Sequence, residues 1–289
     1  MACEGWQSMG ETRLQDWIGR SEDAADHVRP WPARAFAATL NLPSAPAEGD
    51  PLPELWHWLY CRDLAPMSEL GPDGHERRGR FLPPVPLERR MWAGGRLRFR
   101  GELRLGEAIG RRSEVVAVVE KEGRVGRMVL VTVRHELSSP RGLAVEEEQD
   151  LVYIARPERW APPPPVPMPE DVAWSEQAAV DTVLLFRFSA LTFNAHRIHY
   201  DLSYATEVEN YPGLVVHGPL QALLLMEAAR RHQPGRRPAG FVYRGVRPLF
   251  HFDRLRLMGR APSTDGQELL AANGDGAVTM QATMVWAER

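Results

Sequence analysis

The sequence predicts an α+β protein made of two similar halves, each an antiparallel sheet wrapped on a central helix. Three observations carry this expectation. A proline-rich run, RPERWAPPPPVPMPED at 156–171, forbids helix or central strand and splits the chain. On each side of it a helix-forming stretch precedes several β-rich runs. Those runs are punctuated by Gly-containing turns and rich in Val and Leu, so an antiparallel meander is their simplest connection. The expected division is an N-terminal half with a helical extension over 1–156, a linker over 157–173, and a C-terminal half over 174–289.

In the first half, an N-terminal helical stretch is followed by PLPELWHWLYCRD. Prolines bound this segment, which reads as a short helix with Leu55, Trp58 and Leu59 on one face. Its cluster of Trp56, His57, Trp58 and Tyr60 is expected to be core rather than a ligand box. Strands are expected in GGRLRFRGELRLG, SEVVAVVEKEG, GRMVLVTVRHEL and EQDLVYIA. In the second half, Asp181 and Thr182 can cap a helix through VLLFRFSALT, where Leu184, Phe188 and Leu191 recur at helical spacing. Gly218 and Pro219 open HGPLQALLLMEAARRH, with Arg230, Arg231 and His232 complementing the C-terminal end of its dipole. Strands follow in GFVYRGVRPLF, RLRLMGRA, QELLAANG and GAVTMQATMVWAE.

The 289 residues, 44% of them hydrophobic, can bury a sizeable core. A net charge of −3 without a long basic block gives a nucleic-acid partner little support. No run of eighteen uncharged apolar residues suggests a membrane span. The opening MACEGWQSMGETRLQDW lacks the basic and then apolar order of a signal peptide, so the cytoplasm is the expected compartment. Cys3 and Cys61 cannot build a disulfide framework or a paired zinc site, which fits a reducing environment.

The chemistry concentrates in FSALTFNAHRIHYD (188–201) and YPGLVVHGPLQ (211–221). A histidine serves as acid or base near neutral pH, and a carboxamide five residues earlier can orient a water; His199 and Asn194 fit that division. The helix opening at Gly218 offers the backbone N–H groups of Gly218, Leu220 and Gln221 to developing negative charge, Pro219 having none. Nucleophile-elbow, P-loop, dinucleotide-glycine and H-E-x-x-H motifs are all absent.

These residues resemble the signature of the MaoC-like, (R)-specific enoyl-thioester hydratases and dehydratases, which are hot-dog proteins. In that family an Asp and a His five residues apart flank a water, and a V-H-G step polarises the thioester carbonyl. The match is ungapped across LTFNAHRIHYD. It places His199 on the family histidine, Asp201 on the following aspartate, and Val216-His217-Gly218 on the V-H-G step, so Gly218 inherits the oxyanion role. Asn194 stands where the hydratase aspartate usually does. An amide cannot take a proton from water, so the resemblance implies that His199 alone shuttles protons while Asn194 positions the water. FRFSALTFNAHRIHYD, RMWAGGR and EEEQDLVYIAR are similar to one branch in particular. It holds the mesaconyl-C4-CoA and itaconyl-CoA hydratases and the type 2 hydroxyacyl-thioester dehydratases, two-repeat proteins with the signature in the second repeat.

The implied protein is a double hot-dog acting on an acyl-CoA, with no cofactor and no metal, and a homodimer is compatible with it. His196, His199, Asp201 and His217 could in principle gather a metal, but water addition to a thioester-polarised bond requires none. His196 is a supporting or core histidine, Asp201 a capping residue, and His217 a helix-entry residue that can also touch substrate. Arg90 and Arg96, flanking the glycines of RMWAGGR, and Arg197, beside the catalytic histidine, are the candidates to hold the carboxylate of a dicarboxylic acyl group. A fatty-acid-type dehydratase, a thioesterase and a non-catalytic thioester-binding protein are the alternatives.

Overall fold

The computed structural model describes residues 13–123 and 126–288. Cys3 and most of the opening stretch read for a leader lie outside the described residues. Ten strands form one antiparallel sheet: β1 (Ser21–His27), β2 (Arg89–Phe99), β3 (Ala108–Gly123), β4 (Gly126–Ser139), β5 (Gly142–Ile154), β6 (Trp174–Ala178), β7 (Pro238–Gly245), β8 (Leu255–Gly259), β9 (Gln267–Ala272) and β10 (Val278–Trp286). Their order is β1-β3-β4-β5-β2-β7-β10-β9-β8-β6. Each half therefore runs first, third, fourth, fifth, second strand from its outer edge, and the halves join where β2 pairs with β7. Gly94 and Gly95 make that joint possible. A Cβ on Gly94 would lie 2.5 Å from the Tyr243 carbonyl oxygen, and one on Gly95 2.8 Å from the Tyr243 hydroxyl. The close approach that RMWAGGR permits is to β7, not to a ligand.

Three α-helices complete the halves: α1 (Pro30–Thr39), α2 (Thr182–Thr192) and α3 (Gly218–His232). α3 is buried nearly all round until its last turn, and Leu220, Leu223, Leu225 and Met226 are fully buried, as a helix enclosed by its sheet requires. α2 starts as expected: the Asp181 carboxylate accepts the Leu184 N–H at 2.8 Å. The first half departs from the expectation at its own helix. The helix expected in PLPELWHWLYCRD is a single 3₁₀ turn, Trp56–Leu59, entered through Leu55 at φ +70°. Prolines at 51 and 53 limit a longer helix there. Trp56, His57, Leu59 and Tyr60 are nonetheless buried, and the Trp56 indole donates to Glu227 of α3 at 2.8 Å.

Two strands have no expectation to match. β1 and β6 are the outer edges of the sheet, and their sequences, SEDAADH and WSEQA, carry almost none of the β-branched and aromatic content that marks a strand. Polar, charged edges are what prevents further pairing. Among the described residues no helix is long and apolar enough to cross a membrane. The joint yields a direct expectation. Residues 172–289 expressed alone lose β2 from the edge of β7 and should aggregate or self-pair without activity. A soluble, monomeric, active fragment by size-exclusion chromatography and assay would contradict it.

Candidate active site

α2 ends at Phe193, whose φ of +54° turns the chain so that the Asn194 N–H reaches back to the Ser189 carbonyl at 2.8 Å. The Asn194 side-chain oxygen accepts the His196 N–H at 2.9 Å, a turn that fixes the amide beside the signature loop. A 3₁₀ turn, Arg197–His199, follows. Asp201 then caps the next turn by accepting the Tyr204 N–H at 3.1 Å, and pairs with Arg197 at 2.7 Å. The capping role expected of Asp201 is what it performs.

His199 is buried, and its Nδ1 lies 2.7 Å from the Val215 carbonyl oxygen. A carbonyl only accepts, so Nδ1 carries the proton and Nε2 keeps its lone pair. Burial pushes the imidazole down to about 4; the Val215 bond opposes the shift and His75 adds to it. At neutral pH the ring is therefore an uncharged base. His217 stacks on it at 3.6 Å with an interplanar angle of 19°, while its own Nε2 meets the Ser189 hydroxyl at 2.8 Å. His196 abuts His199 edge-on at 5.3 Å.

His196 and His199 border a cavity of about 1420 Å³ whose wall also includes Asn194, Gly218, Arg90 and His75. Gly218 opens α3 at the wall, with its N–H unclaimed by the helix. The Gln221 N–H does not join it. It bonds the His217 carbonyl at 3.1 Å, as the first intrahelical bond of α3 must.

The structure separates the arginine candidates. Arg90 lies on the cavity wall. Arg96 is exposed on β2 and bound to Glu148 and Asp150, each at 2.7 Å, outside the cavity. Arg197 is turned away by its pair with Asp201 and by donation to the Pro72 carbonyl at 3.0 Å. His217 lies behind His199 and supports that ring rather than forming the wall.

His75 on the wall, and Asp73 bonded behind it, come from a loop of the first half and have no counterpart in the sequence-based expectations. Their only sequence signal is the D-x-H spacing of GPDGHERR. Asp73, His75 and His196 bring ligand-type atoms within 4.8 Å of one another, the one such grouping found among the described residues. Asp73 is already bonded to His75 Nδ1 at 3.0 Å, and burial, followed by neighbouring charge that includes the Arg90 cation, disfavours protonation of His75 and His196. A cluster facing a guanidinium suits an anion better than a cation. The His196, His199, Asp201 and His217 set does not converge, since Val215 occupies one ring nitrogen and Arg197 the carboxylate.

A family model, hydroxyacyl-thioester dehydratase type 2, matches residues 55–251. Mesaconyl-C(4)-CoA hydratase of Chloroflexus aurantiacus is 47% identical over 276 residues, covering 93% of this chain and 96% of that protein. The mitochondrial hydroxyacyl-thioester dehydratase type 2 of Schizosaccharomyces pombe is 31% identical over 227 residues, covering 70% of this chain and 75% of its own length. Among solved structures, HtdX of Mycobacterium tuberculosis superposes with a TM-score of 0.64 at 16% identity, over 93% of this chain and 100% of that one. A second M. tuberculosis protein, with a double hotdog fold, gives a TM-score of 0.56 at 14% identity over 93% of this chain and 96% of its own. The fold is thus the double hot-dog, and the chain belongs to the hydroxyacyl-thioester dehydratase type 2 family.

Proposed function

We propose that the protein is a hydro-lyase that adds water across the C2–C3 double bond of an enoyl-CoA, and that its acyl group is a short branched C5 dicarboxylic one, as in mesaconyl-C4-CoA or itaconyl-CoA. The observation that carries the reaction is His199: its Nδ1 is fixed on Val215, which leaves a neutral Nε2 on the cavity wall that also holds the first N–H of α3. The 47% identity to a mesaconyl-C4-CoA hydratase supports the acyl class.

In this reading Asn194 holds the water. His199 Nε2 accepts one of its protons as the water oxygen bonds to C3. The π pair moves toward the thioester, and the Gly218 N–H stabilises the enolate oxygen that forms. The proton on Nε2 then passes to C2, which restores the thioester and the neutral base. Arg90 holds the free carboxylate. The C-terminal repeat (174–289) supplies the base and the oxyanion site; the N-terminal repeat (1–156), across the linker (157–173), supplies Arg90. Since β2 and β7 pair within one chain, all these walls come from a single copy. A free, buried Cys61 accords with a reducing, cytoplasmic setting.

Crotonyl-CoA and mesaconyl-C4-CoA, followed by enoyl absorbance and by free thiol, test the reading. Loss of absorbance without thiol supports it; thiol release would indicate a thioesterase, and no change a binding protein. Position 194 has its own expected result. Asn194→Asp should keep or raise hydration, because a carboxylate also holds water, whereas Asn194→Leu should lower it by ~10²-fold or more. Full activity in both variants, measured as kcat, would remove Asn194 from the site.

A further inference from the structure

The loop that carries Asp73 and His75 is fastened to the signature segment of the other half. The Arg197 N–H donates to the Asp73 carbonyl at 2.9 Å, and the Arg197 guanidinium to the Pro72 carbonyl at 3.0 Å. Between Asp73 and His75, Gly74 adopts φ +88° and approaches Ala195 so closely that a Cβ would lie 1.9 Å from the Ala195 carbonyl oxygen. No other residue fits there. Gly74 and His75 are thus a built part of the cavity wall, with the His75 ring 4.0 Å from that of His196 and tilted 39° to it.

The bond from His75 Nδ1 to the Asp73 carboxylate fixes the tautomer: the neutral ring presents only a lone pair at Nε2. The charged and titratable groups facing it are Asp73 and Arg78 from its own loop, Arg90 from β2, and His196 and His199 from the signature segment. Arg78 donates to the Val85 and Glu88 carbonyls, and Arg89 and Arg156 both pair with Glu209. Arg90 has no hydrogen bond or ion pair among the described residues. The Asp73 carboxylate, the nearest negative charge to feel Arg90, is itself bonded to His75, so the Arg90 guanidinium has no counter-ion in direct contact.

Resting on the hydratase reading of the same cavity, we infer that Arg90 and His75, backed by Asp73, form the receptor for the free carboxylate of the acyl group, and that the carboxylate enters together with one proton taken from solvent onto His75 Nε2. A lone pair repels a carboxylate oxygen. Protonated Nε2 donates to it, and the imidazolium then lies between two carboxylates, Asp73 and the ligand. Before binding, burial and then the Arg90 cation hold His75 at about 4 against the pull of Asp73. A carboxylate on Arg90 cancels that repulsion and raises the value. Between the free value and the higher value in the complex, binding takes up a proton. Affinity for the dicarboxylic ligand therefore falls as pH rises through that window, by up to ~10-fold per pH unit.

Succinyl-CoA and butyryl-CoA, which lack the reactive double bond, test this by titration calorimetry in buffers of different ionisation enthalpy across neutral pH. Their shared CoA phosphates cancel in the comparison. The expected result is tighter binding of succinyl-CoA, with an extra uptake approaching one proton per ligand that is absent in His75→Gln and reduced in Asp73→Asn. Equal affinities for the two ligands, no extra uptake by the wild type, or uptake that persists in His75→Gln would each overturn the inference. Should His75→Gln fail to fold, the wild-type pair and Asp73→Asn decide. Neither ligand is hydrated, so failure to hydrate enoyl-CoAs would count against the proposed reaction and leave these binding results to be read separately.

Discussion

His199→Ala is expected to lower the hydration rate by at least ~10²-fold, since it removes the one neutral imidazole on the wall beside the α3 N-terminus whose second nitrogen is fixed on backbone. The wild-type pH profile should carry the same group. With His199 pushed down to about 4, the base form prevails at neutral pH. kcat/KM for crotonyl-CoA, which has no second carboxylate, should stay level from neutral pH downward and fall only as pH nears that value. Circular dichroism and the melting temperature would separate a lost base from a lost fold, because the ring also stacks on His217. Near-normal turnover in the variant, or a profile that falls already near the ordinary histidine range, would contradict the mechanism.

The contiguous part of this site was legible in the sequence for physical reasons. α2, the signature loop and α3 follow one another along the chain, and each boundary has local chemistry: an Asp cap at 181, a Gly-Pro step at 218 and 219, and basic residues in the last turn of α3. The fold class was legible from strand composition in eight strands, yet β1 and β6 were not. An edge strand is defined by what must not pair with it, and SEDAADH and WSEQA look like loops. The short helix in PLPELWHWLYCRD was over-read: its aromatic residues are buried by tertiary packing, which apolar spacing cannot distinguish from a helical face. Asp73 and His75 were invisible for another reason. They come to the site from more than a hundred residues away, and what brings them there is the contact of Gly74 with Ala195.

Proximity in sequence also misled. Arg197 adjoins the signature, but its i, i+4 relation to Asp201 supplies a nearer partner than any ligand, and the guanidinium is drawn onto the loop. His217, two residues ahead of Pro219, is held by Ser189 and stacked on His199, off the cavity wall.

Arg90→Met is expected to have the largest effect on substrate choice, and the reason that Arg90 rather than Arg96 lines the cavity lies in the backbone of β2. The two arginines are six residues apart, an even spacing that in a regular strand would put both on one face. The β2–β5 register shifts between Trp92 and Gly94, so Ala93 is an extra residue that reverses the alternation. Arg90 thus lines the cavity, while Arg96 points outward beside the buried Leu97 and pairs with Glu148 and Asp150. Leaving a substrate carboxylate in the cavity without its cation should cost about 2 kcal/mol or more, roughly a 30-fold rise in KM for mesaconyl-C4-CoA or itaconyl-CoA. The rise for crotonyl-CoA should be much smaller, because nothing on that chain needs the guanidinium. Arg96→Met, which breaks only exposed ion pairs, should leave the ratio of the two KM values where it was. Equal rises for both substrates in Arg90→Met would make Arg90 a ligand for the CoA phosphates instead. A wild-type preference for crotonyl-CoA or longer monocarboxylic chains would move the substrate assignment to the fatty-acid type.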